Sequence, residues 1–433
     1  MTLTIILSII GILGMLICIF KFPNVKIKGR VFDTFYFPIL IVALIFLIFP
    51  IFDKTKLFDI LFSNSKLNPF KILALFISVS FISIVLDESG FFSFIAIKFI
   101  NRFKKSQYAL FFSLYLLISI LTIFTSNDIV ILTFTPFILY FSKRGNINPI
   151  PFLVMEFTAA NTYSMLLPIG NPTNVYLSSI YTLDFISYLS KMIIPTIFIG
   201  IASIIILVLL FHKELNKKIE VFDDKQIFLK NKFICIVSLV HLGLTTALLV
   251  ISNYINIEMW LIAIIFAVSL LIFISVYTII KKNHLYVTAP IKRIPYSLIP
   301  FILSMFIIIM ALESFNVFGY ISDLFNNIKN DNLKEITYLL SSVVSCNLVN
   351  NIPMTIAFGS ILQNADNVNL IYSTIIGSNI GAILSPVGAL AGIMWLRILK
   401  DNGVEYSFLS FLKNGSIITF CLLVAGSLAL LII

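Results

Sequence analysis

Four short polar passages interrupt an otherwise apolar chain, and each combines hydrogen-bonding side chains with a break in the apolar run. Thr125-Ser126-Asn127-Asp128 interrupts residues 107–142, and Asn347-Leu348-Val349-Asn350-Asn351 breaks residues 335–363. Asn161-x6-Pro168-x-Gly170, followed by Asn171, Thr173 and Asn174, is matched by Asn379-x6-Pro386-x-Gly388, with Ser378 and Ser385 beside it. Pro and Gly interrupt helical hydrogen bonding, and in lipid the freed amides and carbonyls need partners that only protein or a ligand cavity supplies. Helix amide ends favour anionic or oxygen-rich solutes, and carbonyl ends favour cations. The Asn, Ser and Thr side chains of these passages add neutral hydrogen-bonding groups, so the pattern points to a solute site at Ser126, Asn127, Asn161, Gly170, Asn171, Thr173, Asn174, Asn350, Asn351, Ser378, Asn379, Ser385 and Gly388. Asp128 is the one ionisable group at a tip and becomes the candidate for proton or cation coupling. Glu88, at a span end, is a second coupling candidate for which interfacial solvation competes. Glu156, inside a span, draws attention on the same ground. His241 reads as a packed helix residue and Cys346 as a small core residue.

The elements that must position these groups are membrane spans. Of 433 residues 59% are hydrophobic and 12% charged, with a mean hydropathy of +1.06, whereas soluble folds carry about 25% charged residues. Apolar runs near the ~20 residues needed to cross a bilayer recur along the chain, predicting an all-α polytopic membrane protein. The longest polar stretch is residues 212–232, too short for a nucleotide-binding domain, and there is no Gly-x4-Gly-Lys-Ser/Thr phosphate loop. Neither His-Glu-x-x-His nor Gly-x-Ser-x-Gly occurs, so the chain reads as no enzyme. Cys18, Cys235, Cys346 and Cys421 show neither disulfide nor metal spacing, and no cofactor is implied beyond a coupling proton or sodium ion.

A net charge of +10 means loop placement here rather than nucleic-acid binding. The first run, residues 2–20, has no basic n-region or small-residue cleavage site and reads as a span, not a signal peptide. Lys21, Lys26, Lys28 and Arg30 follow it and place that loop inside. Spans at 34–52 and 69–87 lead to the basic residues Lys98–Lys105. Only about thirteen residues separate the 125–128 knot from Lys143-Arg144, too few for a comfortable return crossing, so 107–142 is predicted as a re-entrant hairpin. Spans at 150–181, 191–211, 233–252, 258–280 and 296–316 follow, then an outer hairpin 335–363, and spans at 369–399 and 407–432. Cytoplasmic loops then hold 23 of the 30 Lys and Arg, which places both termini outside the cell membrane.

The halves repeat. Glu88-Ser89 and Glu313-Ser314 are offset by 225, Asn127-Asp128 and Asn350-Asn351 by 223, and the two Asn-x6-Pro-x-Gly motifs by 218. Residues 1–211 and 233–433 therefore form two repeats of inverted topology around the linker 212–232, a construction found in secondary transporters. The expected fold has about ten transmembrane helices plus two re-entrant hairpins, with interrupted helices.

The chain resembles the arsenite efflux permeases within the ion transporter superfamily, which also includes sodium-coupled dicarboxylate carriers and sodium/proton antiporters. The resemblance rests on Leu86-Asp87-Glu88-Ser89-Gly90-Phe91-Phe92, Ser126-Asn127-Asp128-Ile129 with Leu132-Thr133-Phe134-Thr135-Pro136, and Leu167-Pro168-Ile169-Gly170-Asn171-Pro172-Thr173-Asn174. Val349-Asn350-Asn351-Ile352-Pro353-Met354 and Ser385-Pro386-Val387-Gly388-Ala389-Leu390-Ala391 with Trp395-Leu396 carry it through the second half. It implies a transport domain moving against a scaffold, and contacts of Asn127, Asp128, Asn171, Thr173, Asn350 and Asn351 with solute or coupling ion. It further implies proton-driven expulsion of arsenite or antimonite, with a homodimer or a separate ATPase subunit as compatible partners. Two positions depart from the family pattern: Asn379 stands where an acidic residue is usual, and Ser126 where a small apolar one is. Sodium-coupled carriage of carboxylates or other anions, and sodium/proton antiport, stay open as alternatives.

Overall fold

The computed structural model describes residues 1–22, 24–27, 30–62, 68–103, 105–180, 183–220, 229–252, 254–362 and 367–432. Lys28, Lys104, residues 221–228 of the linker and residue 363 of the outer hairpin lie outside the described residues. The chain is almost wholly helical, as its composition predicts. Eight of the described helices are long and apolar enough to cross a membrane, and Tyr36–Ile48, Asn351–Leu362 and Asn369–Leu384 are shorter apolar helices. One departure is a small antiparallel strand pair, Asn24–Ile27 with Arg30–Asp33, in the first basic loop. Its Val, Ile and Phe content suits a strand rather than a helix turn.

The same succession of elements occurs twice. Thr2–Lys21, Tyr36–Ile48 and Pro69–Glu88 are followed by the amphipathic helix Phe91–Phe103, the paired helices Gln107–Phe124 and Asn127–Arg144, the interrupted helix Ile150–Tyr163/Pro172–Ile180, and Phe185–Leu215. Lys232–Val250, Met259–Lys281, Leu298–Glu313, Val317–Asn326, Asp331–Val349 with Asn351–Leu362, Asn369–Leu384/Leu390–Asp401 and Phe408–Leu430 repeat that order. Packing is exchanged between the halves. Tyr36–Ile48 lies on Leu298–Glu313 while Met259–Lys281 lies on Pro69–Glu88. The second piece of each interrupted helix packs on the second leg of the other half's helix pair, Pro172–Ile180 on Asn351–Leu362 and Leu390–Asp401 on Asn127–Arg144.

Polar contacts define the two ends of the bundle. At one end Gln107 Nε2 donates to the Lys217 carbonyl at 2.9 Å and Asn146 Nδ2 to Glu220 Oε1 at 2.9 Å, so both legs of the first helix pair open there. Arg293 meets Asp87 and Glu88 at the same end, each at 2.7 Å. Helix Leu298–Glu313 starts there and finishes at the other end, where Lys71 pairs with Glu258 at 2.7 Å and Asn367 Nδ2 donates to Glu335 Oε1 at 3.2 Å. The second helix pair opens at that other end.

Burial sorts the helices by position. The candidate span Pro69–Glu88 is 78% buried and Met259–Lys281 only 22%; the latter turns Ile265, Ile272 and Ile279 outward, where apolar side chains match lipid rather than water. Small residues let central helices close up. A Cβ at Gly377 would lie 2.5 Å from the Leu339 carbonyl oxygen, and one at Gly381 would collide with Cys346 Sγ, the close backbone approach that membrane helices use. Cys346 is thus a fully buried core residue. His241 also packs: Nδ1 lies 2.8 Å from the Val237 carbonyl, Nε2 3.2 Å from Ser269 Oγ, between Phe266 and Phe273.

Candidate transport site

The first helix pair turns at Thr125-Ser126, both extended, and helix Asn127–Arg144 starts at Asn127. The interrupted helix unwinds between Tyr163 and Pro172 around a single 3-10 turn, Pro168–Gly170. A Cβ at Gly170 would collide with the Ser164 carbonyl oxygen, so the break closes on itself only because residue 170 has no side chain. In the second half the turn Pro386–Gly388 sits between Ser385 and Ala389, both extended.

These breaks bring the amides together. Asn127 Nδ2 donates to Asn161 Oδ1 at 3.1 Å, and Asn161 Nδ2 to the Phe157 carbonyl at 2.8 Å. Asn379 Oδ1 accepts from Ser164 Oγ at 2.9 Å and Asn171 Nδ2 at 3.3 Å, while its Nδ2 donates to Asn174 Oδ1 and the Ile375 carbonyl, both at 2.8 Å. Both donors and both acceptor positions of Asn379 are therefore filled by protein. Asn174 Nδ2 in turn donates to the Ser164 carbonyl at 2.9 Å, and Thr173 Oγ1 lies 3.5 Å from Asn174 Oδ1. The result is a buried, uncharged network crossing from the first helix pair through the first break to the second interrupted helix. Buried polar groups cost free energy unless paired, and these are paired with one another.

The second tip joins the second break. Asn350 Nδ2 donates to the Val387 carbonyl at 2.9 Å, and Asn350 adopts φ +78° with ψ +155°, a strained region otherwise left almost wholly to glycine. Asn347 Nδ2 donates to the Gly381 carbonyl at 2.9 Å, and Ser385 Oγ meets Asn347 Oδ1 at 2.6 Å. A Cβ at Gly388 would fall 2.6 Å from the Gly381 carbonyl oxygen and 3.1 Å from Asn347 Oδ1. Asn347, which the sequence reading placed in the break but not among the solute-site candidates, joins this cluster. Its signal was present in the Asn347–Asn351 polar run, three residues ahead of the tip.

Several polar groups at the tips are left open. Ser126 Oγ, Asn127 Oδ1 and Ser378 Oγ are buried without a hydrogen-bond partner, as is Thr355 Oγ1, one turn beyond Asn351. Among the described residues no hydrogen bond or ion pair reaches the carboxylate of Asp128, which is partly buried, or the amide of Asn351. These two occupy equivalent first-turn positions in the second legs of their helix pairs. A carboxylate there is favoured by the amide end of the helix. Glu88 is not brought to this cluster; its carboxylate accepts from Arg293 at the end of the bundle.

Residues 1–374 match the family described as Citrate transporter. The chain belongs to this family. It is 26% identical over 364 residues to an arsenical pump membrane protein of Escherichia coli, covering 80% of this chain and 82% of the relative. An arsenical pump membrane protein of Yersinia enterocolitica is 25% identical over 363 residues, with the same coverage. An uncharacterized transporter of Mycobacterium tuberculosis is 22% identical over 377 residues, 83% of this chain and 85% of its own. The crystal structure of the YdaH transporter of Alcanivorax borkumensis, described as having an unusual topology, superposes with a TM-score of 0.59 at 14% identity, covering 99% of this chain and 97% of that one. The protein is a multi-pass membrane transporter. Within this citrate-transporter-family member the halves divide the site unequally. At the 218 offset, Ser164, Asn171, Thr173 and Asn174 correspond to Ala382, Ala389, Ala391 and Gly392, so the first break carries most of the polar groups.

Proposed function

We propose that this transporter is a proton-gradient-driven efflux permease for a small neutral polyhydroxyl solute of the arsenite or antimonite type, working by alternating access. The observation that carries this reading is the uncharged amide network around Asn379 together with the open groups Ser126, Asn127, Asp128, Asn351 and Ser378. A neutral trihydroxide offers three donors and three acceptors. Asn amides and hydroxyls complement both, and among the described residues no Lys or Arg enters the hydrogen bonds of the network. A multiply charged carboxylate would meet no compensating cation there, at a high desolvation cost.

Asp128 takes the coupling proton in this account. The two helix pairs are re-entrant hairpins, opening at opposite ends of the bundle, and the halves are inverted repeats that place the solute between them. The 23-to-7 division of basic residues puts both termini outside. A homodimer and a separate ATPase subunit are carried by the family resemblance alone. The test is metalloid sensitivity in cells lacking their own exporter. Expression should raise tolerance to arsenite and antimonite, and unchanged tolerance with unchanged intracellular metalloid would remove the substrate assignment.

A sodium-coupled carboxylate carrier is the second reading. The family description and the open oxygens of Ser126 and Asn127, which suit a sodium ion, favour it. Dependence of flux on sodium rather than on a pH gradient would select it.

A further inference from the structure

Glu156 is fully buried in the first interrupted helix, nine residues before the unwound segment begins at Met165. Among the described residues its hydrogen-bond partner is Thr135 Oγ1, at 3.2 Å from Oε1 and 3.1 Å from Oε2. That hydroxyl also lies 2.7 Å from the Ile131 carbonyl. A threonine hydroxyl has one proton and two lone pairs, and a carbonyl can only accept. With the Thr135 proton engaged in the shorter bond to Ile131, its oxygen turns lone pairs toward Glu156, and the carboxyl must supply the proton between them.

Among the described residues no cation compensates a charge at this place. The neighbouring helices Gln107–Phe124 and Asn369–Leu384 carry no charged residue. Asp128, Lys143 and Arg144 on Asn127–Arg144, Lys191, Lys213 and Glu214 on Phe185–Leu215, Arg397, Lys400 and Asp401 beyond Trp395, and Lys413 on the last helix form no ion pair with it among the described residues. Tyr115, Tyr163 and Tyr188 bond elsewhere. A buried ionised carboxylate without a counter-ion is expensive, whereas a neutral acid is not.

A second group is available to the other protonation state. The indole of Trp395 stands beside the same carboxyl, and its Nε1–H closes no hydrogen bond. Trp395 also lines a cavity of about 10 Å³ with Thr158, Tyr406 and Asn414, at the lower limit for one water. Thr158 Oγ1 is likewise without a partner, and Asn414 donates to Tyr406 OH at 2.8 Å. Tyr406 follows the exposed turn residue Gly403 by three positions.

We propose that Glu156 is a second proton-binding site of the transporter, distinct from the hairpin tips and resting on the proton-coupled reading above. Loaded, it is a carboxylic acid whose O–H donates to Thr135. Unloaded, its proton passes to a water in the Trp395 cavity, and the carboxylate accepts from Trp395 Nε1–H and from a reoriented Thr135 O–H. Thr135 belongs to the first hairpin, Glu156 to the first interrupted helix and Trp395 to the second, so loading alters contacts among the three elements that carry the amide network.

Infrared difference spectroscopy of the lipid-reconstituted full chain, in H₂O and D₂O, tests proton binding without any solute. Wild type and Asp128→Asn should show a deuterium-sensitive carboxylic-acid band that is lost in Glu156→Gln and moves to higher frequency in Thr135→Val. A band unchanged in both Glu156→Gln and Thr135→Val overturns the assignment. Coupling is read separately, from pH-gradient-driven flux of arsenite, or of citrate if wild type moves citrate, relative to exchange flux in the same vesicles. That ratio should collapse in Glu156→Gln, and a wild-type ratio overturns the coupling role. Absence of arsenite flux in wild type would strike the substrate reading and leave the spectroscopic result standing.

Discussion

Asn379 Nδ2 donates to Asn174 Oδ1 at 2.8 Å across 205 residues of sequence, fastening the second interrupted helix to the first at the point where both unwind. Because every hydrogen-bonding position of Asn379 is used by protein, its role is to hold the site in shape. At the first tip, Ser126 Oγ and Asn127 Oδ1 take no part in that fastening and lack a partner.

Asn379→Leu strands Asn171 Nδ2 and takes the short bond from Asn174 Oδ1, while Ser164 Oγ keeps the Asn161 carbonyl; each unsatisfied buried group costs about 1–3 kcal/mol. The variant should unfold at clearly lower temperature in detergent and lose transport. Asn379→Gln, which keeps the amide on a longer arm, should fall between it and wild type. Wild-type stability in Asn379→Leu would show that the network does not hold the helices together.

Gly170→Ala places a methyl group on the Ser164 carbonyl, and overpacking of this kind costs about 1–3 kcal/mol or more. Gly243, whose Cβ position meets nothing within 4 Å, gives the contrast, since Gly243→Ala should stay within about 1 kcal/mol of wild type. Thermal unfolding and transport of the two variants should therefore diverge; equal behaviour would mean that the break has room to relax.

Asn350 combines φ +78° with a side-chain bond to the Val387 carbonyl. Asn350→Gly removes the bond, about 0.5–1.5 kcal/mol, but relieves backbone strain of about 1–3 kcal/mol, whereas Asn350→Ala loses the bond and keeps the strain. The glycine variant is thus expected to be the more stable of the two in a thermal-shift assay. The reverse order would place the cost in the side chain's packing instead.

The two carboxylates singled out in the first half should behave differently. Asp128→Asn should abolish the response of flux to a pH gradient. Glu88→Gln removes one of two carboxylates from Arg293 at the rim, a partly exposed pair worth about 0–1 kcal/mol, and should keep that response. Full proton dependence in Asp128→Asn would end its coupling role, and loss in Glu88→Gln would move that role to the rim.

Much of this arrangement was legible in the sequence because the signals are local. A polar knot within an apolar run marks a hairpin tip, and Asn-x6-Pro-x-Gly marks a break, so Asn127, Asn161, Asn350 and Asn379 could be placed before any contact was known. Which groups are saturated and which are open was not legible, because that depends on pairs such as Asn174–Asn379 that the sequence separates by 205 positions. Asn347 was left out of the solute-site candidates for the same reason, as its partners Ser385 and Gly381 lie 38 and 34 residues away. Glu88 gave no sign of Arg293, which reaches it from the opposite half. The strand pair 24–33 was hidden by the basic residues that made the loop look merely cytoplasmic.

The central claim is that an uncharged amide site moves a neutral solute against a proton. The most direct measurement is arsenite flux into sealed proteoliposomes under an imposed pH gradient, with citrate and a sodium gradient as alternatives in the same preparation. The account predicts arsenite flux that follows the pH gradient, ignores sodium and disappears in Asn379→Leu. Citrate flux driven by sodium, with arsenite motionless, would contradict it.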